Sequence, residues 1–270
     1  MTAGTDNLFM TDPASVLPPA SLDWALFLDF DGTLAPLARH PDAVAVQPSL
    51  IHSLRGLSKS LDGAVAVVSG RPISQIDRFL APLRLAVAGK HGLESRLPSG
   101  EIVTPVAAHP GLQRVKARLA DIVACDPRLL LEDKVHTVAL HYRQAPERED
   151  ECDRLVHQVV DSMDGGLQVL HGKMVLEVKP VGSNKGVAIS RLMEEPVFAG
   201  RRPVFAGDDV TDEDGFAAVN ALGGISIRVG PAQATAARYC MADVDAFASW
   251  LAGAEAALAH LAVERKGTGT

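Results

Sequence analysis

Leu26-Phe27-Leu28-Asp29-Phe30-Asp31-Gly32-Thr33-Leu34 is an apolar run that stops on two acids and a Gly-Thr pair. A run this apolar keeps no side for water, so it reads as a strand, Trp24 to Asp29, covered on both faces. Residues i and i+2 of a strand share a face. That sets the carboxyls of Asp29 and Asp31 side by side, and Gly32 lets the chain turn away at once. Two carboxylates so close repel unless a cation neutralises them or one keeps its proton. Taken alone, Asp-x-Asp-Gly is more often an ordinary strand ending in a turn.

Working outward, similar apolar runs at Ala64 to Val68, Leu85 to Ala88, Val204 to Ala206 and Ile225 to Val229 alternate with helix-period segments. Those segments are Pro48 to Lys59, Pro72 to Leu80, Lys185 to Glu194 and Glu213 to Ala221. Buried strands joined by helices predict an α/β fold with a doubly wound, Rossmann-like parallel sheet. The rhythm breaks between Glu101 and Pro180. There the pattern is helix (Gly111 to Ala124), strand pair (Leu129 to Leu131, Thr137 to Tyr142), helix (Glu147 to Met163) and strand pair (Leu167 to Leu170, Val175 to Val178). This predicts a smaller α/β layer inserted into the first domain. The expected plan is a flexible leader over 1–22, a core from 23–100 and 181–264, a cap over 101–180 and a disordered tail over 265–270.

The 270 residues are 47% hydrophobic and 22% charged, a globular balance that excludes collagen-like, disordered and disulfide-scaffold classes. Thirty-three acidic against 26 basic residues give a formal charge of -7 with no Lys/Arg block, so no nucleic-acid partner is expected. Cys125, Cys152 and Cys240 form no C-x-x-C pair and read as free thiols of a reducing compartment, the cytoplasm. The N-terminus lacks a basic region followed by an apolar one. Ala246 to Val263 is broken by Glu255 and His260, which favours an amphipathic terminal helix over a membrane span.

Acids recur after a second buried strand, in Ala206-Gly207-Asp208-Asp209-Val210-Thr211-Asp212-Glu213. If the two strands are neighbours, Asp29, Asp31 and Asp208 converge at the carboxyl end of the sheet, where ligands of open α/β sheets bind. Oxygen ligands without His or Cys select Mg²⁺. The later acids also suit a helix start, so capping by Asp209 or Thr211 and metal binding by Asp208 are both expected. Ser69-Gly70-Arg71-Pro72 ends another strand with a hydroxyl and a helix start, which together make an anion site; Ser-Gly by itself is a common turn. Lys185, in Gly182-Ser183-Asn184-Lys185-Gly186, sits where the helix dipole disfavours a cation, which is reasonable if it faces carboxylates and a phosphate.

The order D-x-D-G-T, S-G-R, Lys, G-D-D resembles the phosphohydrolases of the haloacid-dehalogenase (HAD) superfamily from Trp24 to Gly230. The resemblance implies Asp29 as nucleophile and Asp31 as general acid and base. Ser69 and Lys185 would hold the phosphoryl oxygens, helped by Gly70, Arg71 and Asn184. Asp29, Asp31 and Asp208 would bind Mg²⁺. Within the superfamily, His91-Gly92-Leu93-Glu94, Glu132-Asp133-Lys134, His141-Tyr142-Arg143, Glu177-Val178-Lys179-Pro180 and G-D-D-V-T-D-E are similar to trehalose-6-phosphate phosphatases, which carry an inserted cap of the C2 type. His91, Glu94, Glu132, Lys134, Arg143 and Glu177 are then the sugar-binding candidates, with Gly92, His141, Lys179, Asp209 and Asp212 as a second rank. Singly, each charged cap residue is more often a solvated strand face.

The resemblance implies hydrolysis of trehalose 6-phosphate with Mg²⁺, a sugar phosphate as small-molecule partner, and room for a trehalose-phosphate synthase as protein partner. Competing readings are another sugar-phosphate phosphatase, such as one for sucrose phosphate, and a phosphomutase. A phospho-receiver domain is opposed by Asp31 and by the insert, and a catalytically dead sugar-phosphate sensor by the intact motifs.

Overall fold

The structure is a computed structural model and describes residues 17–37, 44–104, 109–134, 137–172, 174–231 and 234–267. The chain divides into two compact units, Met1–Pro105 with Asn184–Thr270, and Val106–Ser183. The first unit opens with β1 (Trp24–Leu28), α1 (Pro48–Ser60), β2 (Val65–Val68), α2 (Ile73–Leu80), β3 (Ala86–Gly89), β4 (Glu94–Arg96) and β5 (Ile102–Val103). The second unit is α3 (Pro110–Val123), β6 (Leu130–Asp133), β7 (Val138–His141), α4 (Glu149–Asp161), β8 (Leu167–Gly172) and β9 (Val175–Pro180). The first unit resumes with α5 (Lys185–Leu192), β10 (Arg202–Gly207), α6 (Glu213–Ala221), β11 (Ile225–Val229), β12 (Tyr239–Met241) and α7 (Val244–Gly267).

Eight strands of the first unit form one sheet in the order β12-β11-β10-β1-β2-β3-β4-β5. From β12 to β3 every pairing is parallel. The chain builds outward from β1 on one side and returns to its other side as β10, so the strand order reverses between them, with Leu28 in register with Ala206. All five β1 side chains are buried, and each large apolar one contributes roughly 1.5–3 kcal/mol on burial. Phe27 stacks on Phe198 across one face. This burial anchors the register of β1 and therefore the place where Asp29 and Asp31 emerge.

The sequence pattern predicts a parallel sheet, and the structure departs from it at one edge, where β4 and β5 add antiparallel. Glu94-Ser95-Arg96 carries no apolar run to announce a strand. It is held instead by Arg96, buried with its guanidinium donating to the Leu85 carbonyl at 2.8 and 3.0 Å and to Asp77 at 2.7 Å.

The expected leader is part of the fold from Leu17 onward, since Leu17, Ala20 and Leu22 pack on the core. At the other end, α7 continues to Gly267, past the expected start of the tail at residue 265. It is long and apolar enough to cross a membrane by length and composition, yet Phe247, Leu251 and Leu258 lie fully buried along one face and Trp250 stacks between Trp24 and Phe247. In the fold it is a helix of the core layer.

The second unit has a four-stranded antiparallel sheet, order β6-β7-β9-β8. Val138, Leu140, Leu176 and Val178 share a core with Leu112, Val115 and Leu119 of α3 and Val156 and Val159 of α4. By strand alternation the opposite face carries Glu132, Ala139, His141 and Glu177.

Candidate active site

Strands β1 and β10 both lead into acids at the point of strand reversal. The Asp29 N–H donates to the Ala206 carbonyl at 2.9 Å, which ties the first acid to the strand carrying the second cluster. Gly32 has φ 76°, and a side chain there would collide with the Asp208 carboxylate, so glycine is required both for the turn and for the approach. Oxygens of Asp29, Asp208 and Asp212 all lie within 4.8 Å of one another. Lys185, the first residue of α5 and 3% exposed, donates to Asp29 Oδ1 at 2.8 Å and to Asp212 Oδ1 at 2.5 Å.

Asp212 is also an organiser of the turn. Its Oδ2 accepts the N–H groups of Asp208 and Asp209 at 3.0 and 2.9 Å, and with Asp209 it closes a capping box. Both its oxygens are engaged. The buried Arg228 donates to the Asp208 carbonyl at 2.7 Å, a role that no local sequence signal announces.

The cluster is short of positive charge. Burial, reinforced by the neighbouring Asp212 and Asp208 carboxylates and only partly opposed by Lys185, pushes the Asp29 carboxyl up to about 8. Burial and then Asp212 push Asp208 up to about 6. Burial acts to lower Lys185, but Asp29 and Asp212 outweigh it and hold the ammonium above its ordinary value. Three acids against one lysine, all with hard oxygen donors, fit a divalent cation of the Mg²⁺ type, whose charge would relieve the same repulsion. Asp31 stands outside this gathering. Arg71 grips it in a fork, Nε to Oδ2 and Nη2 to Oδ1, both at 2.6 Å, while also donating to Gln75 and lying over the Phe30 and Phe79 rings.

Ser69 is buried, and its Oγ accepts the Arg71 N–H at 3.2 Å. Its carbonyl accepts the His91 N–H at 3.0 Å, joining the ends of β2 and β3. Lys90 and His91 both have left-handed backbones, φ 49° and 56°, a strained pair of the kind that collects at functional sites. The His91 ring occupies the space a side chain at Gly70 would need. Glu94 accepts the Ile73 N–H at 2.7 Å and pairs with Lys90 at 3.3 Å, capping α2 from another strand. Asn184 caps α5, its Oδ1 accepting the Val187 N–H at 2.8 Å.

Residues 27–245 match the family model for trehalose-phosphatase. The chain belongs to the trehalose-phosphatase family. Its members are phosphoric monoester hydrolases. The chain is 40% identical over 242 residues to trehalose-6-phosphate phosphatase of Escherichia coli, covering 90% of each chain. It is 47% identical over 209 residues to a probable trehalose-phosphate phosphatase of Sinorhizobium fredii, covering 77% of this chain and 78% of the relative. Among solved structures it is similar to Aspergillus fumigatus trehalose-6-phosphate phosphatase, with TM-score 0.70 and 25% identity over 87% of this chain and 92% of that one.

Of the second-unit residues expected from the sequence, Glu132, Lys134, His141 and Glu177 meet on the sheet face opposite the helices. The row Glu132, Ala139, Glu177 crosses three strands in register. Glu177 accepts from Lys134 Nζ at 3.0 Å and from the Thr137 hydroxyl at 2.6 Å. His141 Nε2 lies 2.9 Å from Glu132 Oε2. Thr137 is thus a member of the cluster that the sequence marks only as a strand residue. Lys179 is buried and donates to the Ser183 carbonyl at 2.7 Å. Arg143 is exposed in the turn after β7.

Proposed function

We propose that the chain hydrolyses trehalose 6-phosphate to trehalose and phosphate through an aspartyl-phosphate on Asp29. The observation that carries this is the buried Asp29 carboxylate at the strand reversal, bonded to Lys185 and facing Asp208 and Asp212. The Asp29 oxygen not held by Lys185 attacks phosphorus, and the phosphorus–sugar oxygen bond breaks. Asp31 gives its proton to the departing sugar oxygen. It then takes a proton from water as that water attacks the aspartyl-phosphate, breaking the bond to Asp29 and freeing phosphate.

Ser69 and Lys185 hold the phosphoryl oxygens. Asp29 and Asp208 would bind Mg²⁺, which when bound supplies positive charge beside the reacting phosphoryl group. The Asp31 side chain, expected among the metal ligands, is assigned to proton transfer alone, with Arg71 as its positioning residue. Asp212 positions Lys185 and the Asp208 turn. Glu94 and Asn184, expected at the sugar and the phosphate, are assigned to helix capping.

Glu132, Lys134, His141 and Glu177 supply the paired donors and acceptors that a disaccharide rich in hydroxyls requires. The reaction is then the last step of trehalose biosynthesis, run in the cytoplasm on the ester made by a trehalose-phosphate synthase. Phosphate release from trehalose 6-phosphate, glucose 6-phosphate and sucrose 6-phosphate, with Mg²⁺ and in excess EDTA, tests it. Trehalose 6-phosphate should be the preferred substrate and EDTA should abolish turnover; full activity in EDTA, or preference for another ester, would overturn the proposal.

A further inference from the structure

The second unit holds a cluster of metal-ligating side chains that the phosphatase chemistry does not use. Asp153 and His157 lie four apart on α4, on one helix face, and His171 near the end of β8 meets them there. One donor atom from each lies within 4.8 Å of the other two. The two imidazoles aim at the same oxygen: Nε2 of His171 is 2.6 Å and Nε2 of His157 3.6 Å from Asp153 Oδ1. Their rings stack with centroids 5.8 Å apart.

We propose that Asp153, His157 and His171 form a binding site for a borderline divalent cation of the Zn²⁺ class, which ties α4 to β8. The chemistry differs from that of the Asp29 cluster. Two imidazoles and one carboxylate select Zn²⁺ and its transition-metal neighbours, whereas all-oxygen sites select Mg²⁺. Metal–ligand bonds near 2.0–2.2 Å in a tetrahedral site put donor atoms about 3.4 Å apart. The two histidine–aspartate separations of 2.6 and 3.6 Å bracket that value, and the three donor atoms lie within 4.8 Å of one another.

The side chains of Asp153, His157 and His171 are 38%, 44% and 59% exposed, which gives the ion an entry path and leaves room for water as a further ligand. The charges around them suit a cation. The first turn of α4 carries Glu149, Asp150 and Glu151, and the nearby arginines are turned to other partners: Arg148, just before the helix, is held by Glu151 and Asp126, and Arg154 donates to the Asp150 carbonyl.

The test uses the full chain at saturating Mg²⁺, so that the hard oxygen cluster is filled, titrated with Zn²⁺ and followed by the imidazole nitrogen signals in NMR. Of the nine histidines, only His157 and His171 should shift, at one Zn²⁺ per chain. His157→Gln and His171→Gln should each weaken binding tenfold or more, with phosphatase activity in Mg²⁺ unchanged. Zn²⁺ should raise the melting temperature of the wild type and not that of the double variant. Absence of binding, shifts at other histidines, or undiminished Zn²⁺ affinity in the double variant would each overturn the proposal. The wild-type NMR readout decides the matter even if a variant folds poorly.

Discussion

Asp29 in the first unit and Asp126 in the second are both aspartates with little exposed surface, 3% and 9%, and both touch cationic side chains, yet their carboxyls are driven in opposite directions. Asp126 lies shallow beneath two arginines. The Arg128 backbone and side chain donate to it at 2.8–3.0 Å and Arg148 adds a bond at 2.7 Å, so hydrogen bonding from Arg128 first, then Arg148, holds it well below the usual carboxylate range. Asp29 is buried, which lifts its carboxyl most; it also shares a single ammonium with Asp212 and faces a third acid, and it rises to about 8. A cation in contact therefore does not decide the state of a carboxyl. What decides it is first how deeply the carboxyl is buried, and then whether cations and donors outnumber the acids they serve. Asp126 is saturated and can only hold structure. Asp29 has unmet charge, which a metal ion and a phosphoryl group can use.

The strongest way to break this contrast is to remove the charge at each place. Asp29→Asn should cut phosphate release by about 10⁴-fold or more, because the nucleophile is gone. If labelled phosphate were trapped on another residue of the wild type, the assignment of Asp29 would fall. Asp31→Asn should cost roughly 10²–10⁴-fold through lost proton transfer. That variant should still accumulate label on Asp29 from a substrate with a good leaving group; no label would count against the division of roles.

A smaller effect is expected on the polar face of the second unit. Glu132→Ala or Lys134→Ala should lower kcat/KM for trehalose 6-phosphate by about one to two decades, a charged hydrogen bond being worth roughly 1.5–3 kcal/mol. Turnover of p-nitrophenyl phosphate should barely change. Equal losses on both substrates would place these residues in folding rather than in sugar recognition.

The smallest effect on catalysis, none, is expected for Asp126→Asn, which should act on stability alone. Asp126 ionises more readily in the fold than at its ordinary value of 3.8. Its contribution is therefore complete above that pH and is lost as pH falls through the lower folded value. Acid unfolding followed by circular dichroism should show the asparagine variant less stable at neutral pH and flatter below about pH 4. A parallel downward shift at all pH values would mean that the arginine network, not the carboxylate's ionisation, carries the effect.

The parts of this protein written in the sequence are those set by local physics. Apolar runs bounded by turns locate β1, β2, β3, β10 and β11, because burial of consecutive side chains needs no knowledge of the partner strand. The four-strand, two-helix pattern of the second unit is equally local. So is the Asp209–Asp212 capping signal, which spans four residues. Tertiary structure alone decided the rest. β4 forms without an apolar run because Arg96 reaches Asp77 and Leu85, and α2 is capped by Glu94 from 21 residues away. Asp31 is claimed by Arg71, 40 positions on, and Asp29 by Lys185 at a separation of 156. Asp153 and His157 meet His171 only once β8 lies against α4. Each of these pairings depends on the path of the backbone between its members, and charges acting through space leave no periodicity along the chain.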